Sequence, residues 1–321
     1  ERYAGHFGPE WVVTREAEGH TQVRLRTFDE YRNLLAEEGE FLLIRSEEIT
    51  ERYEGRPIHV NATNIRDFIP PQGGNSVLEV MQNNVDAVLE QRKRTGQDMF
   101  PHLNHPNYEY AISLADFIAL EGDRFFEVYN GHPLVNNHGD HDHPGTETMW
   151  DFALSHRLVD GRGVLYGLAT DDAHKYHESS PKHANPGRGW VMVRAESLET
   201  DAIIAALEAG DFYASSGVTL SDVQVSEDSI WIEIQPDSGV TYTTQFVGTS
   251  RDFDPSNITA STRIGRVLSE VEGTTASYRF RGDELYVRAR IISSRAKKNG
   301  LTPDEREMAW VQPVPRVTPE N

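Results

Sequence analysis

Two hydrophobic periodicities divide this chain, and the change between them near Gly217 constrains the fold more than any other feature. Before it, short apolar runs rich in β-formers alternate with stretches of helical pattern. Phe41–Ile44 and Ile58–Thr63 read as strands, followed by a Pro70-Pro71-Gly73-Gly74 loop and a helix over 77–94 that ends at Gly96. Phe100–Asn104 reads as a strand and 108–120 as a helix. Residues 124–129 read as a strand, 146–158 as a helix and 164–169 as a strand. A helix over 197–209 takes Ser197 as its N-cap and has Gly210 just past its end. Strands alternating with helices predict a parallel α/β fold. Beyond Gly217 the period becomes two: Ile230, Ile232 and Ile234, then Leu285, Val287, Ala289 and Ile291, alternate with their neighbours. That pattern predicts half-buried antiparallel strands. The expected organisation is an α/β domain over 1–216 and a small all-β, sandwich-like domain over 217–321.

At 321 residues, with 37% hydrophobic residues, the chain can bury a sizeable core, which excludes disorder as its main state. The formal charge of -20 repels phosphate backbones and argues against general nucleic-acid binding. No apolar run approaches the ~20 residues that span a bilayer. Cysteine is absent, which excludes disulfides, thiolate metal sites and cysteine nucleophiles. The chain opens with Glu1 and shows no signal-peptide pattern, leaving a cytoplasmic or a periplasmic location open. There is no G-x-S-x-G, Walker A or G-x-G-x-x-G motif.

The chemistry-bearing residues share a position relative to the expected strands. Glu47 and Glu48 follow Phe41–Ile44, His59 lies in the next strand, and His105 follows Phe100–Asn104. Glu127 lies near the end of 124–129, and Asp172 and His174 follow 164–169. In α/β barrels the C-terminal strand ends converge on one face, where active sites form. Singly, each feature has an ordinary reading: His105-Pro106 as a capped loop, Asp172-Ala173-His174 as a turn, Glu47-Glu48 as solvated charges. Their common placement points to one pocket. Oxygen and nitrogen ligands without sulfur suit Zn, Mn or Fe. Lys175 and Arg188 are candidates for binding an anionic substrate group, whereas the histidines between Gly131 and Pro144 read as a polar loop.

Several of these segments resemble the PHP (polymerase and histidinol phosphatase) family. They are Leu103-Asn104-His105-Pro106-Asn107, Glu127-Val128-Tyr129-Asn130-Gly131, Gly167 to His174, and Ser46-Glu47-Glu48-Ile49-Thr50 followed by His59. Residues 189–218 and the tail around Ala309–Pro313 resemble a bacterial subgroup similar to carbaryl ester hydrolase. The resemblance covers roughly 35–218 and implies a distorted (β/α)7 TIM-like barrel with two or three divalent metal ions. It implies a metal-dependent hydrolase of phosphoesters or related small-molecule esters. By motif, Glu48 would bridge metals, and His59, His105, Asp172 and His174 would be further ligands. Glu48 and Asp172 would be the catalytic carboxylates, and Glu127 a pocket residue beside the substrate. Glu47 is the less suited of its pair, because the family places the ligand directly before the Ile.

The chain departs from the family in one respect. The family's opening His-x-His and Asp-His motifs do not precede Glu48, and His141-Asp142-His143 comes far too late. The expectation is therefore an N-terminally incomplete barrel, short of about 60 residues at ~30 per strand–helix unit. The alternative is a catalytically degenerate scaffold that acts as a binding protein.

Overall fold

The computed structural model describes residues 2–255 and 263–316, and the chain divides into a unit ending at Arg45 and a unit beginning at Ser46. The first contains helix α1 (Arg2–Phe7), strands β1 (Thr14–Ala17) and β2 (His20–Val23), and helix α2 (Phe28–Leu35). Helix α2 starts in a capping box, with Thr27 and Glu30 satisfying each other's backbone N–H groups. None of the unit's described residues is fully buried. The strand expected at Phe41–Ile44 does not form; Phe41 makes only an isolated bridge to Glu37. An apolar run becomes a strand only where a neighbour pairs its backbone groups.

In the second unit, β3 (Ser46–Tyr53) and β4 (Arg56–Thr63) are joined by Glu54 and Gly55, at φ 49° and 85°. Two consecutive positive φ values make the tight hairpin turn that suits strand twist, so β3 and β4 are antiparallel. Next come α3 (Val77–Thr95), β5 (Phe100–Leu103), α4 (Leu114–Ala119), β6 (Phe125–Asn130), α5 (Thr146–Val159) and β7 (Tyr166–Thr170). The sheet order is β3-β4-β5-β6-β7, parallel only for β5-β6 and β6-β7.

The fold is thus mixed α/β, and its sheets are open. Among the described residues no sheet closes into the expected TIM-like barrel, for two physical reasons. The β3–β4 hairpin leaves no room for a crossover helix. At the far edge, the Gln312 side chain occupies β7 by accepting from Gly167 N–H (2.9 Å) and donating to Gly167 C=O (2.8 Å). Two helices are also shorter than expected. Glu109 and Tyr110, at φ 53° and 50°, delay α4 to Leu114. The last helix, α6 (Thr200–Ala209), takes Glu199 rather than Ser197 as N-cap.

The remaining strands are β8 (Trp190–Val193), β9 (Phe212–Ser215), β10 (Leu220–Val225), β11 (Ser229–Ile234), β12 (Tyr242–Ser250), β13 (Arg266–Glu272), β14 (Thr275–Arg279), β15 (Glu284–Ala296) and β16 (Arg306–Pro315). They form a three-stranded sheet, β10-β11-β14, and a six-stranded sheet, β13-β12-β15-β16-β9-β8. Ile230, Ile232 and Ile234 of the first share a core with Phe246, Val287, Ala289 and Ile291 of the second. Residue 217 lies inside the second unit, and the six-stranded sheet takes strands from both sides of it.

The two faces of the β3–β7 sheet differ. Val60, Leu103 and Phe126 point to one face and pack with Val80, Val85, Phe117 and Trp150 of helices α3, α4 and α5. Phe100, Phe125 and Tyr166 begin their strands in a cluster with Ile204 and Leu207 of α6. Two residues further along β5 and β6, the same face carries His102 and Glu127, because side chains alternate with period two. This second face is therefore aromatic where the parallel strands begin and polar where they end.

Candidate metal centre

The polar end of that face gathers side chains from both halves of the sheet. Glu48 pairs across the hairpin with Asn61, and Thr50 with His59, which makes Glu48 and His59 diagonal neighbours on one face. His59 Nδ1 lies 2.7 Å from Glu48 Oε1. His105, just past β5, brings Nε2 to 3.3 Å from His59 Nδ1 and 3.8 Å from Glu48 Oε1. Glu47, one position earlier in β3, points the other way and accepts from the Ile69 N–H at 2.8 Å.

Around this trio is a shell of buried polar groups. Asn104 Nδ2 donates to Glu48 Oε1 at 3.2 Å. Glu127, 2% exposed, accepts from the His105 backbone N–H (2.9 Å) and from Asn130 Nδ2 (2.8 Å). Its other oxygen lies 3.4 Å from His102 Nε2, which meets the Asn61 amide at 2.9 Å. Asn130 also reaches Asp172 Oδ2 at 3.4 Å, and Asp172 Oδ2 stands 3.9 Å from His105 Nε2. Two buried atoms of this region, His102 Nδ1 and Asn104 Oδ1, have no protein hydrogen-bond partner.

The charges are coupled. The imidazoles of His105 and His59 beside Glu48 hold its carboxyl well below the usual carboxylate range. For His105, burial favours the neutral ring, but the carboxylates of Glu48, Glu127 and Asp172 outweigh it and push the imidazole up. For Glu127, burial opposes ionisation, yet His102, His105 and Asn130 hold its carboxyl below the ordinary value.

Glu48, His59 and His105 each offer a donor atom within 4.8 Å of the other two. Two nitrogen ligands about 2.0–2.1 Å from a tetrahedral ion lie roughly 3.3–3.4 Å apart. The His59–His105 separation of 3.3 Å matches that spacing, and one carboxylate with two imidazoles is a donor set that divalent transition metals accept.

The other candidate residues lie at different distances from this point. Asp172 adjoins the trio. His174 is on the rim, with its side chain 63% exposed and Nδ1 2.7 Å from the Asp172 carbonyl oxygen. Lys175 is exposed, and its backbone N–H donates to the Ala184 carbonyl. Arg188 does not face the centre. It is fully buried and its guanidinium donates to the carbonyls of Gly131, Ser180, His183 and Asn299, which occupy four of its five N–H groups. Glu127 lies behind the centre, spending its oxygens on His105, Asn130 and His102.

Sequence reasoning gave no site role to Asn104, Asn130, His102 or Tyr108, and read His132 as part of a polar loop. Asn104 and Asn130 sit at strand ends and follow the rule that picked out His105. Tyr108 lies among three imidazoles, with ring centroids 5.1 Å from His105, 6.3 Å from His59 and 5.8 Å from His132. His132 in turn stacks edge-on to His174 at 5.6 Å. No pattern in the sequence marks that Tyr108 or His132 contact.

No protein-family model matches the chain, and no curated protein matches it. Among solved structures it is similar to a two-domain protein from Bacteroides vulgatus containing a predicted PHP-like metal-dependent phosphoesterase. The alignment covers 88% of this chain and 77% of that one, at 14% identity and a TM-score of 0.36, a likeness that assigns neither fold nor activity.

Proposed function

We propose that this chain is a metal-dependent hydrolase of phosphoesters or related small-molecule esters. The observation that carries the reading is the convergence of donor atoms of Glu48, His59 and His105 within 4.8 Å of one another. The motifs that resemble the PHP family coincide with the same residues, which supports the hydrolytic class. Glu48, His59 and His105 would hold the ion, Asp172 on the loop after β7 adjoins them, and His174 stays on the rim with its side chain 63% exposed. The chemistry a divalent ion would supply there is activation of a water and polarisation of the ester oxygen.

The remaining work falls to the protein's own groups. The lowered pKa of Glu48 keeps it an anionic ligand across the neutral range. Glu127 holds His105 in place by accepting its backbone N–H, and Asn104 holds Glu48 by donating its side-chain N–H to it. Hydrogen bonds of this outer kind are worth ~10–100-fold in metal affinity, and direct ligands are worth more. Zinc or manganese titration by calorimetry tests the assignment. His59→Ala, His105→Ala and Glu48→Gln should each lose more than about 100-fold in affinity. Metal-dependent turnover of an aryl phosphate or aryl ester should vanish with them. Wild-type affinity in all three variants would overturn the centre.

A further inference from the structure

Asp172 lies on a long loop between β7 and β8 that has no regular structure. Its backbone stands at φ 49°, a conformation uncommon outside glycine that persists where surroundings over-determine it. Two groups close the loop from within. The Asp171 carboxylate accepts the N–H groups of Gly187 (2.8 Å), Arg188 (2.7 Å) and Gly189 (2.9 Å). Arg188 spans the interior and binds the carbonyls of Ser180 and His183 within the loop, and of Gly131 after β6.

Arg188 is itself held by residues more than 100 positions away. Its Nε donates to the Asn299 carbonyl at 2.7 Å. Its own carbonyl accepts from Nζ of Lys297, a buried residue just past the end of β15. Lys297 also donates to Tyr129 Oη (2.5 Å) and stands 4.1 Å from that ring's centroid. Tyr129 Oη donates to Glu305 Oε1 at 2.6 Å, and Glu305 lies 3.4 Å from Lys297. The other Glu305 oxygen accepts the Leu301 N–H and closes the β15–β16 connection.

We propose that Lys297, Glu305 and Tyr129 are positioning residues for the centre. They anchor Arg188, Arg188 shapes the 171–189 loop, and the loop sets Asp172 beside His105. The register irregularity between Glu127 and Tyr129 in β6 makes this possible. It lets Glu127 serve the centre while Tyr129 turns to the other side and stacks on Trp310, 5.7 Å between centroids. On this view the segment after residue 217 is part of the apparatus that builds the site. The consequence for metal rests on the function proposed above; the anchoring of the loop does not.

The test uses the 321-residue chain with Tyr129→Phe, Lys297→Met and Glu305→Gln. In metal-free protein, amide exchange over 171–189 should quicken in Tyr129→Phe and Lys297→Met, with α3 and α5 unchanged. Zinc affinity should fall about tenfold, and Glu305→Gln, which keeps an acceptor for Tyr129, should fall less. Tyr129→Phe removes a single hydroxyl and keeps the test open if Lys297→Met does not fold. Unchanged loop exchange, or quickened exchange with wild-type zinc affinity, would overturn the proposal. If the wild-type chain binds no zinc or manganese, the metal-centre reading fails, and the exchange data alone decide the anchoring.

Discussion

Adjacent residues Glu47 and Glu48 illustrate how much one position decides. Strand alternation turns Glu47 to the Ile69 backbone and Glu48 to two imidazoles. Burial raises the Glu47 carboxyl, whereas the imidazoles lower that of Glu48. Lys297 is another residue whose environment departs far from water. Burial pulls its ammonium down to about 8, although Glu305 and Asp171 favour the charge; Arg188 opposes it and Tyr129 packs on it. Below about pH 8 both folded and unfolded chains hold the proton, and the folded chain bears the desolvation. Between about 8 and the ordinary 10.5 only the unfolded chain keeps it, so this residue makes stability rise with pH. Urea unfolding at about pH 7.5 and about pH 9.5 should show wild type gaining on Lys297→Met. Parallel curves would remove Lys297 as the source.

Among the elements, helix α3 is the one most completely specified by local chemistry. Ser76 Oγ accepts the Glu79 N–H at 3.0 Å, and Gly96 closes the helix at φ 68°. Its buried side, including Val77, Val80, Met81, Val85 and Val88, lies against the sheet that carries the centre. Ser76→Ala should cost ~1 kcal/mol, measurable by thermal or denaturant unfolding. The metal affinity should stay at the wild-type value, since the helix packs on the opposite sheet face from Glu48 and His59. A loss of affinity alongside the stability would show that the two faces are not independent. The β3–β4 hairpin is specified as locally, by the turn at Glu54-Gly55, yet the sequence pattern placed a strand at Phe41–Ile44 instead of β3 and expected it parallel to the strand at Ile58–Thr63.

For the second unit as a whole, one buried ionic cluster ties α5 to β15. Asp151 accepts from Arg288 Nε and Nη2, both at 2.8 Å, and from Tyr286 Oη at 2.7 Å. Arg288 lies 4.7 Å over the Trp150 ring and 3.1 Å from Glu147. Removing one partner of a buried pair leaves an uncompensated charge, at a cost of about 3–5 kcal/mol. Asp151→Ala should therefore destabilise by that amount. It should do so in one cooperative transition, because residues from both sides of 217 share the core with Tyr286 and Trp310. Two separate transitions, with only the later segment shifted, would show that the two portions unfold independently.

Periodicity in the sequence was enough to place α3, α5 and strands β4, β5, β6, β7, β11 and β15, with Gly96 and Gly210 marking helix ends by their backbone freedom. Placement relative to the expected strands gathered Glu47, Glu48, His59, His105, Glu127, Asp172 and His174, and only the resemblance to the PHP family preferred Glu48 over Glu47; the structure places Glu48 and His59 inside β3 and β4 rather than at strand ends. Pairing direction was not legible, because period-two or apolar patterning describes a strand's faces and not its neighbour. Closure was not legible either: Gln312 ends the sheet at β7 from 145 residues away. Arg188 looked like an anion-binding cation until the fold surrounded it with carbonyls. Local spacing determined which residues have metal-binding chemistry. Long-range contacts alone decided which of them meet, because a side chain's partners depend on which strands and loops pack beside it.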